Sequence, residues 1–199
     1  MERLCIYHRV LVELARQGTG TVSSDQLAVL AGVGAATVRK DLSFLGSFGT
    51  RGAGYEVAFL LEQVDRCLGL DREWAVVIAG LGNLGRALAN SEGFTSGGFR
   101  VVSMLDVDPG VVGTQINGIA VRHLDDLPSE MERNQLSIGV VTTPSYAAQD
   151  VAERLVEVGI TAILNFAPVV LQLPAPVQVR RVDLSVELQV MSFNLTRAT

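Results

Sequence analysis

The run Trp74-Ala-Val-Val-Ile-Ala79 is apolar throughout and feeds without a break into Gly80-Leu81-Gly82-Asn83-Leu84-Gly85. A continuous apolar stretch of this length predicts a strand buried on both faces, as in a parallel sheet. The three glycines that follow constrain the chain more than any other feature. Gly80 permits a tight turn, Gly82 lets the backbone approach a pyrophosphate, and Gly85 lets the next helix lie close to the strand. That helix, carrying Leu84, Ala87 and Leu88, presents free N–H groups and a positive dipole end to phosphates. A second strand is predicted over Phe99 to Leu105. It ends at Asp106, twenty-one residues after Gly85, where a carboxylate can accept hydrogen bonds from an adenosine ribose. Strand, glycine turn, helix, strand and terminal acid together predict a dinucleotide-binding α/β unit.

Asp106 also bears on which dinucleotide. A 2′-phosphate beside it would be repelled by about 4 kcal/mol per unit charge at 4 Å and an effective dielectric near 20. The next residues, Val107-Asp108-Pro109, offer no arginine to receive that phosphate, so NAD+ and NADH are expected over their phosphorylated forms. The α/β pattern continues with a strand over Ile138 to Thr142, Thr143 as a helix cap and Pro144 at the first helical position, and a helix to about Val158 that Gly159 ends. Another strand, Ile160 to Leu164, closes with Asn165-Phe166-Ala167-Pro168. Ligands in such sheets sit at the carboxyl ends of the strands. Thr142, Thr143, Pro144, Asn165 and Phe166 are therefore candidates for the nicotinamide side, although Phe166 also fits plain core packing and Thr143 a cap alone. From Val182 to Leu195 alternation fits a strand and three-four spacing fits a helix; length favours the helix, whose apolar stripe suits packing on a partner subunit.

The first fifty-five residues differ in charge from the rest. They hold six basic residues against four acids, or +2, while the remainder carries −7 of the net −5, which suggests two jobs. Leu4, Tyr7, Leu11 and Leu14 mark the inward stripe of a helix ending near Gly18. Ser23 and Gln26 form a capping-box pattern that opens a second helix, with Leu27 and Leu30 directed inward. Gly32-Val33-Gly34 makes a short turn, and a third helix is expected from Ala35 to about Leu45 with Val38, Leu42 and Leu45 inward. This is a helix-turn-helix pattern. Phe48 to Tyr55, with three glycines, Arg51 and two aromatics, fits the hairpin of a winged helix. Ala36, Arg39, Lys40 and Ser43 fall on an exposed face of the third helix, and such a face can enter a major groove. Arg51, with Gly52 and Tyr55 in the same hairpin, is placed to reach a minor groove. Two adjacent basic residues also fit a merely solvated face. Asp41 is expected to pair with a nearby basic group or cap a neighbouring element, because phosphate would repel it.

No apolar stretch suits a membrane span: residues 160–177, the best candidate, contain Asn165, Gln172 and three prolines. The N-terminus has no cleavage-site pattern. Cys5 and Cys67 are too far apart for metal spacing and are expected as buried free thiols of a cytoplasmic protein. A dehydrogenase needs a proton-handling residue beside the nicotinamide. His8 and Lys40, the sole lysine, lie in the N-terminal segment and His123 in a predicted surface loop; Tyr146 is the one tenable acid. Binding without turnover is the expectation. The alternatives are a small NAD-dependent oxidoreductase with a fused helical module, or a thiol-based regulator using Cys5 or Cys67.

Val38-Arg-Lys-Asp-Leu-Ser43, Phe48 to Tyr55, Gly80 to Gly85, Asp106-Val-Asp-Pro109 and Asn165-Phe-Ala-Pro168 occur in this order in one family. Nearly the whole chain resembles the redox-sensing transcriptional repressors of the Rex family. The resemblance implies an α/β fold with an N-terminal winged helix-turn-helix over 1–56, a linking helix over 57–73, a Rossmann-type parallel-sheet domain binding NADH and NAD+ over 74–181, and a C-terminal helix over 182–199 swapped between subunits. It implies a homodimer that binds an inverted-repeat operator and is released by NADH. It further implies that Arg9 and Asp183 couple cofactor state to the winged helices. Leu105 stands where many members have phenylalanine, and Cys5 where proline is common.

Overall fold

The computed structural model describes residues 1–46, 54–91 and 97–197, which fall into two compact units, Met1–Arg72 and Glu73–Thr199. In the first unit, α1 (Glu2–Arg16), α2 (Ser24–Ala31), α3 (Ala35–Ser43) and α4 (Val57–Leu68) surround one apolar cluster. Tyr7, Leu11, Leu27, Val38, Leu42, Leu60 and Val64 lie at its centre. The capping box at the start of α2 forms as expected: the Gln26 N–H donates to Ser23 Oγ and the Ser23 N–H to Gln26 Oε1. Gly32 ends α2 at φ +67, a left-handed conformation that favours glycine and opens the turn into α3. Two short strands, β1 (Thr21–Val22) and β2 (Tyr55–Glu56), pair antiparallel. Gly54 is required beside them because a Cβ there would press on the Val22 carbonyl.

The residues expected to form the wing tip, including Arg51 and Gly52, lie outside the described residues. α3 ends two residues earlier than Leu45. Leu30 is 55% exposed rather than inward, because the eight-residue α2 turns Leu27 and Ala28 to the core. α4, read from the sequence as a link, packs its face of Val57, Leu60 and Val64 into the cluster of the first unit. Cys5 and Cys67 are both exposed, not buried; each lies off the apolar stripe of its helix.

The second unit is built on a seven-stranded sheet in the order β5-β6-β4-β3-β7-β8-β9. The strands are β3 (Trp74–Ala79), β4 (Phe99–Asp106), β5 (Gln115–Ile116), β6 (Ile119–His123), β7 (Ile138–Val141), β8 (Ala162–Asn165) and β9 (Gln178–Arg181). All neighbouring pairs are parallel except β5 with β6. Alternation along β3 sends Val77 and Ala79 to one face, packed under α6 (Leu127–Asn134) and α7 (Ser145–Glu157), and Val76 and Ile78 to the other, toward α5 (Asn83–Ala89). α5 covers only part of its face. Between β8 and β9 the chain forms no helix, and Val76, Ile138, Val140, Ala162 and Leu164 line an open apolar hollow of about 330 Å³. The last element, α8 (Leu184–Arg197), is the helix expected on length. None of its residues is buried, and Leu184, Leu188, Met191 and Leu195 stand exposed.

In the first unit the Asp41 carboxyl is held at about 2, chiefly by a hydrogen bond from Arg3, aided by the Tyr7 hydroxyl. A carboxylate depressed on folding adds stability above its unfolded pKa of about 4 and loses it as pH falls toward the folded value. The stability difference between the wild-type protein and Asp41→Asn should therefore be full above about pH 4 and shrink toward pH 2, as chemical denaturation at a series of pH values would measure. A constant difference across that window would contradict the assignment.

Candidate functional site

The carboxyl ends of β3, β4, β7 and β8 converge on a cavity of about 670 Å³ in the second unit, within the usual range for a small-molecule site. Its floor is the glycine turn. Gly80 adopts φ +97, and a Cβ there would lie 2.9 Å from the backbone of Thr142 and Thr143. At Gly85 a Cβ would overlap the Gly80 carbonyl oxygen, so α5 begins in direct contact with the strand end. A Cβ on Gly82 meets nothing within 4 Å. The three glycines thus have separate reasons: one bends the chain, one allows close packing, and one leaves the backbone open toward the cavity. Gly80, Leu81, Gly82 and Leu84 line the space; Asn83 and Gly85 do not.

Two side chains fix the turn from neighbouring strands. The Thr142 hydroxyl donates to the Gly80 carbonyl at 2.6 Å. The Leu81 N–H donates to Asp106 Oδ2 at 2.5 Å, and the N–H groups of Val107 and Asp108 donate to Oδ1. Arg86, which no sequence motif singles out, donates from Nε to the Leu81 carbonyl at 2.8 Å. Its i+5 position to a turn residue gives no pattern, so nothing in the sequence marks it. Asp106 therefore orders the loop itself, and one lone pair on Oδ2 remains for a ribose hydroxyl.

Thr143 and Pro144 line the cavity with Phe166, Tyr146 and Arg154. The expected cap is shifted by one residue: Pro144, with an extended ψ of 154°, is the N-cap and α7 starts at Ser145. Thr143 consequently caps nothing, and its Oγ1 is buried without a hydrogen-bond partner. An orphaned buried hydroxyl is costly unless something fills its need. Asn165 does not line the cavity; its amide donates to the Val169 carbonyl and accepts from the Ala167 N–H, which shapes the 165–169 turn that carries Phe166. Asp183 caps α8, accepting from the Ser185 N–H and hydroxyl, and the bond from the hydroxyl holds its carboxyl below the usual range. Among the described residues no cluster of His, Cys, Asp and Glu could hold a metal ion.

In the first unit, Ala36, Arg39, Lys40 and Ser43 are exposed on α3. Arg39 Nη1 donates to Ser24 Oγ at 2.9 Å, and the Ser43 hydroxyl donates to the Lys40 carbonyl. Tyr55 lies half-buried in β2 and Arg9 is exposed on α1. Asp41 pairs with Arg3, one of the two arrangements expected of it.

Residues 71–169 match a family model described as a CoA binding domain, and residues 1–43 one described as a putative DNA-binding protein N-terminus. The redox-sensing transcriptional repressor Rex of Streptomyces griseus subsp. griseus is 54% identical over 195 residues, 98% of this chain and 77% of its own length. The protein of that name from Desulfitobacterium hafniense is 45% identical over 97% of this chain and 92% of its own. The crystal structure of RSP in complex with β-NAD+ and operator DNA superposes with a TM-score of 0.93 at 37% identity, covering 99% of this chain and 91% of that one. That of RSP in complex with β-NADH gives 0.87 at 36%, covering 99% and 92%.

The glycine turn yields a paired prediction. Gly85→Ala should both lower thermal stability, by about 2 kcal/mol or more since backbone must move, and abolish nucleotide binding. Gly82→Ala should melt within about 0.5–1 kcal/mol of wild type yet lose binding. Equal loss of stability in both variants would contradict these separate roles.

Proposed function

As the chain belongs to the Rex family of redox-sensing transcriptional repressors, we propose that it represses transcription by binding operator DNA through its first unit and is released when its second unit takes up NADH. It is a repressor and not an enzyme, in keeping with its relatives. The observation that carries the nucleotide reading is the cavity over the glycine turn, with Gly82 open above it. In this reading the free N–H groups at the start of α5 donate to the pyrophosphate and Asp106 accepts from the adenosine ribose. Asp106 and Asp108 at the same end disfavour the extra phosphate of NADP(H) or of coenzyme A. No hydride transfer to a substrate is needed; the bound dinucleotide acts by its charge and shape.

Discrimination between the two redox forms is assigned to the other end. The oxidised ring is cationic and the reduced ring neutral, and an apolar wall formed by Phe166, Ala167 and Pro168 penalises the cation by desolvation. The acting species is taken to be a homodimer located in the cytoplasm. The exposed apolar face of α8 and the open hollow on the sheet support a second copy as its cover. No described helix is long and apolar enough to cross a membrane. A dimer presents two α3 helices to half-sites about 34–36 Å apart. A modest rotation of subunits spoils that spacing, and a tenfold preference of NADH for the rotated state supplies about 1.4 kcal/mol per site. Arg9 and Asp183 are proposed to link the two conditions.

Fluorescence anisotropy of an inverted-repeat operator duplex tests the reading. NADH should displace the protein, with NAD+, NADPH and coenzyme A each needing about tenfold more or failing. Binding that NADH does not weaken would overturn it. Phe166→Ala should bring the affinities for NADH and NAD+ closer together, as titration calorimetry would show. Lys40→Ala should weaken DNA binding and lower the salt slope by about one for each phosphate that Lys40 neutralises.

A further inference from the structure

Directly after Arg39 and Lys40, α3 carries an acid. A carboxylate on a helix that faces phosphate opposes binding, yet Asp41 is engaged by the fold on both of its oxygens. Its side chain is 13% exposed. Oδ2 accepts from Arg3 Nε at 2.6 Å and Oδ1 from Arg3 Nη2 at 2.7 Å, the two prongs of one guanidinium on α1. Oδ2 also accepts from the Tyr7 hydroxyl at 2.9 Å, one turn further along α1, and Tyr7 is fully buried.

Elsewhere α3 packs chiefly on α2, through apolar side chains such as Val38 and Leu42. Apolar packing alone resists small rolls of a helix weakly, since it is non-directional. A bidentate fork is different, because both bonds must stay in the plane of the guanidinium. The fork grips α3 from the α1 side, while Ser24 holds Arg39 from the α2 side.

We propose that Arg3, Tyr7 and Asp41 form a clamp that fixes the roll of α3, so that Asp41 sharpens operator recognition although its own charge opposes DNA. Asp41 is a positioning residue in this scheme, acting through Arg39 and Lys40. The inference rests on the proposed reading of α3 as the helix that enters the groove.

Electrostatics and positioning make opposite forecasts for Asp41→Asn. Removing an anion and freeing Arg3 tightens binding to any duplex if charge alone matters. Loss of the clamp weakens binding to the operator alone. The experiment measures affinities of the full-length protein for a duplex selected by the wild type from a randomised pool and for a random duplex of equal length, with NADH affinity and melting temperature as controls. The expected result is random-duplex binding at least as tight as wild type and an operator-to-random ratio lower by about tenfold, comparable to removal of one good base contact. Arg3→Lys keeps the charge and loses the fork, and its ratio should fall as well. Should Asp41→Asn fail to fold, Arg3→Lys and Tyr7→Phe decide the matter by the same ratio. A ratio at the wild-type level in the folded variants, or Asp41→Asn tighter on both duplexes alike, overturns the clamp. Failure of the wild-type protein to select any duplex overturns instead the reading of α3 on which it rests.

Discussion

Gly85 lies against the Gly80 carbonyl so closely that no side chain fits between them, and the nucleotide site is a consequence of that contact. It brings the first turn of α5 down onto the end of β3. The free N–H groups of α5 then face the space at the carboxyl ends of the strands, where their partial positive charge can act on an anion with little water between. Everything nearby serves to keep the loop in that position. Thr142 holds the Gly80 carbonyl, Arg86 the Leu81 carbonyl, and Asp106 the Leu81 N–H. The acid proposed to take the ribose is thereby part of the scaffold of the glycine turn. A family model named for coenzyme A matches the same segment, and coenzyme A shares its adenosine diphosphate moiety with NAD+ and NADH.

Charge is distributed according to these two tasks. Among the described residues of the second unit, Glu73, Asp125 and Glu130 are held in internal ion pairs. Glu130, almost fully buried, takes Arg122, Arg133 and Asn134, and Asp125 takes Arg154. Buried carboxylates need such partners whatever the function. In the first unit the one acid on α3 is likewise paired, which leaves Arg39, itself 3.9 Å from the Asp25 carboxylate, and Lys40 as the charged groups on the exposed face of α3.

Much of this could be read from the sequence because it rests on local chemistry. The apolar run of β3, the spacing of the glycines and the capping box at Ser23 are each determined by a few adjacent residues, and the structure places them as the pattern requires. What escaped depends on contacts far apart in the chain or on a shift of one position. Arg86 braces a carbonyl five residues before it through a turn that carries no repeat. The difference between Thr143 as a cap and Pro144 as a cap is a single residue, yet it leaves the Thr143 hydroxyl buried without a partner. Leu30 obeys the helical spacing, but α2 is too short for its apolar face to wrap the core. Asn165 stands at the end of a strand among candidate ligands, and only the path of the following turn shows that its amide is already engaged.

The unfinished faces of the second unit point the same way as the repressor's task. A doubly wound sheet normally carries helices on both sides. Here the hollow over β7, β8 and β9 lacks one, while α8 carries Leu184, Leu188 and Met191 exposed. In the proposed dimer the exposed helix and the open hollow are the faces that a second copy covers. That incompleteness suits a sensor. The spacing of two α3 helices on DNA is a property of the pair, so a shift between the copies changes it. In the proposed scheme, a nucleotide held at the strand ends governs DNA binding by shifting the faces that join the copies. The fold leaves those faces open in the unit that binds it.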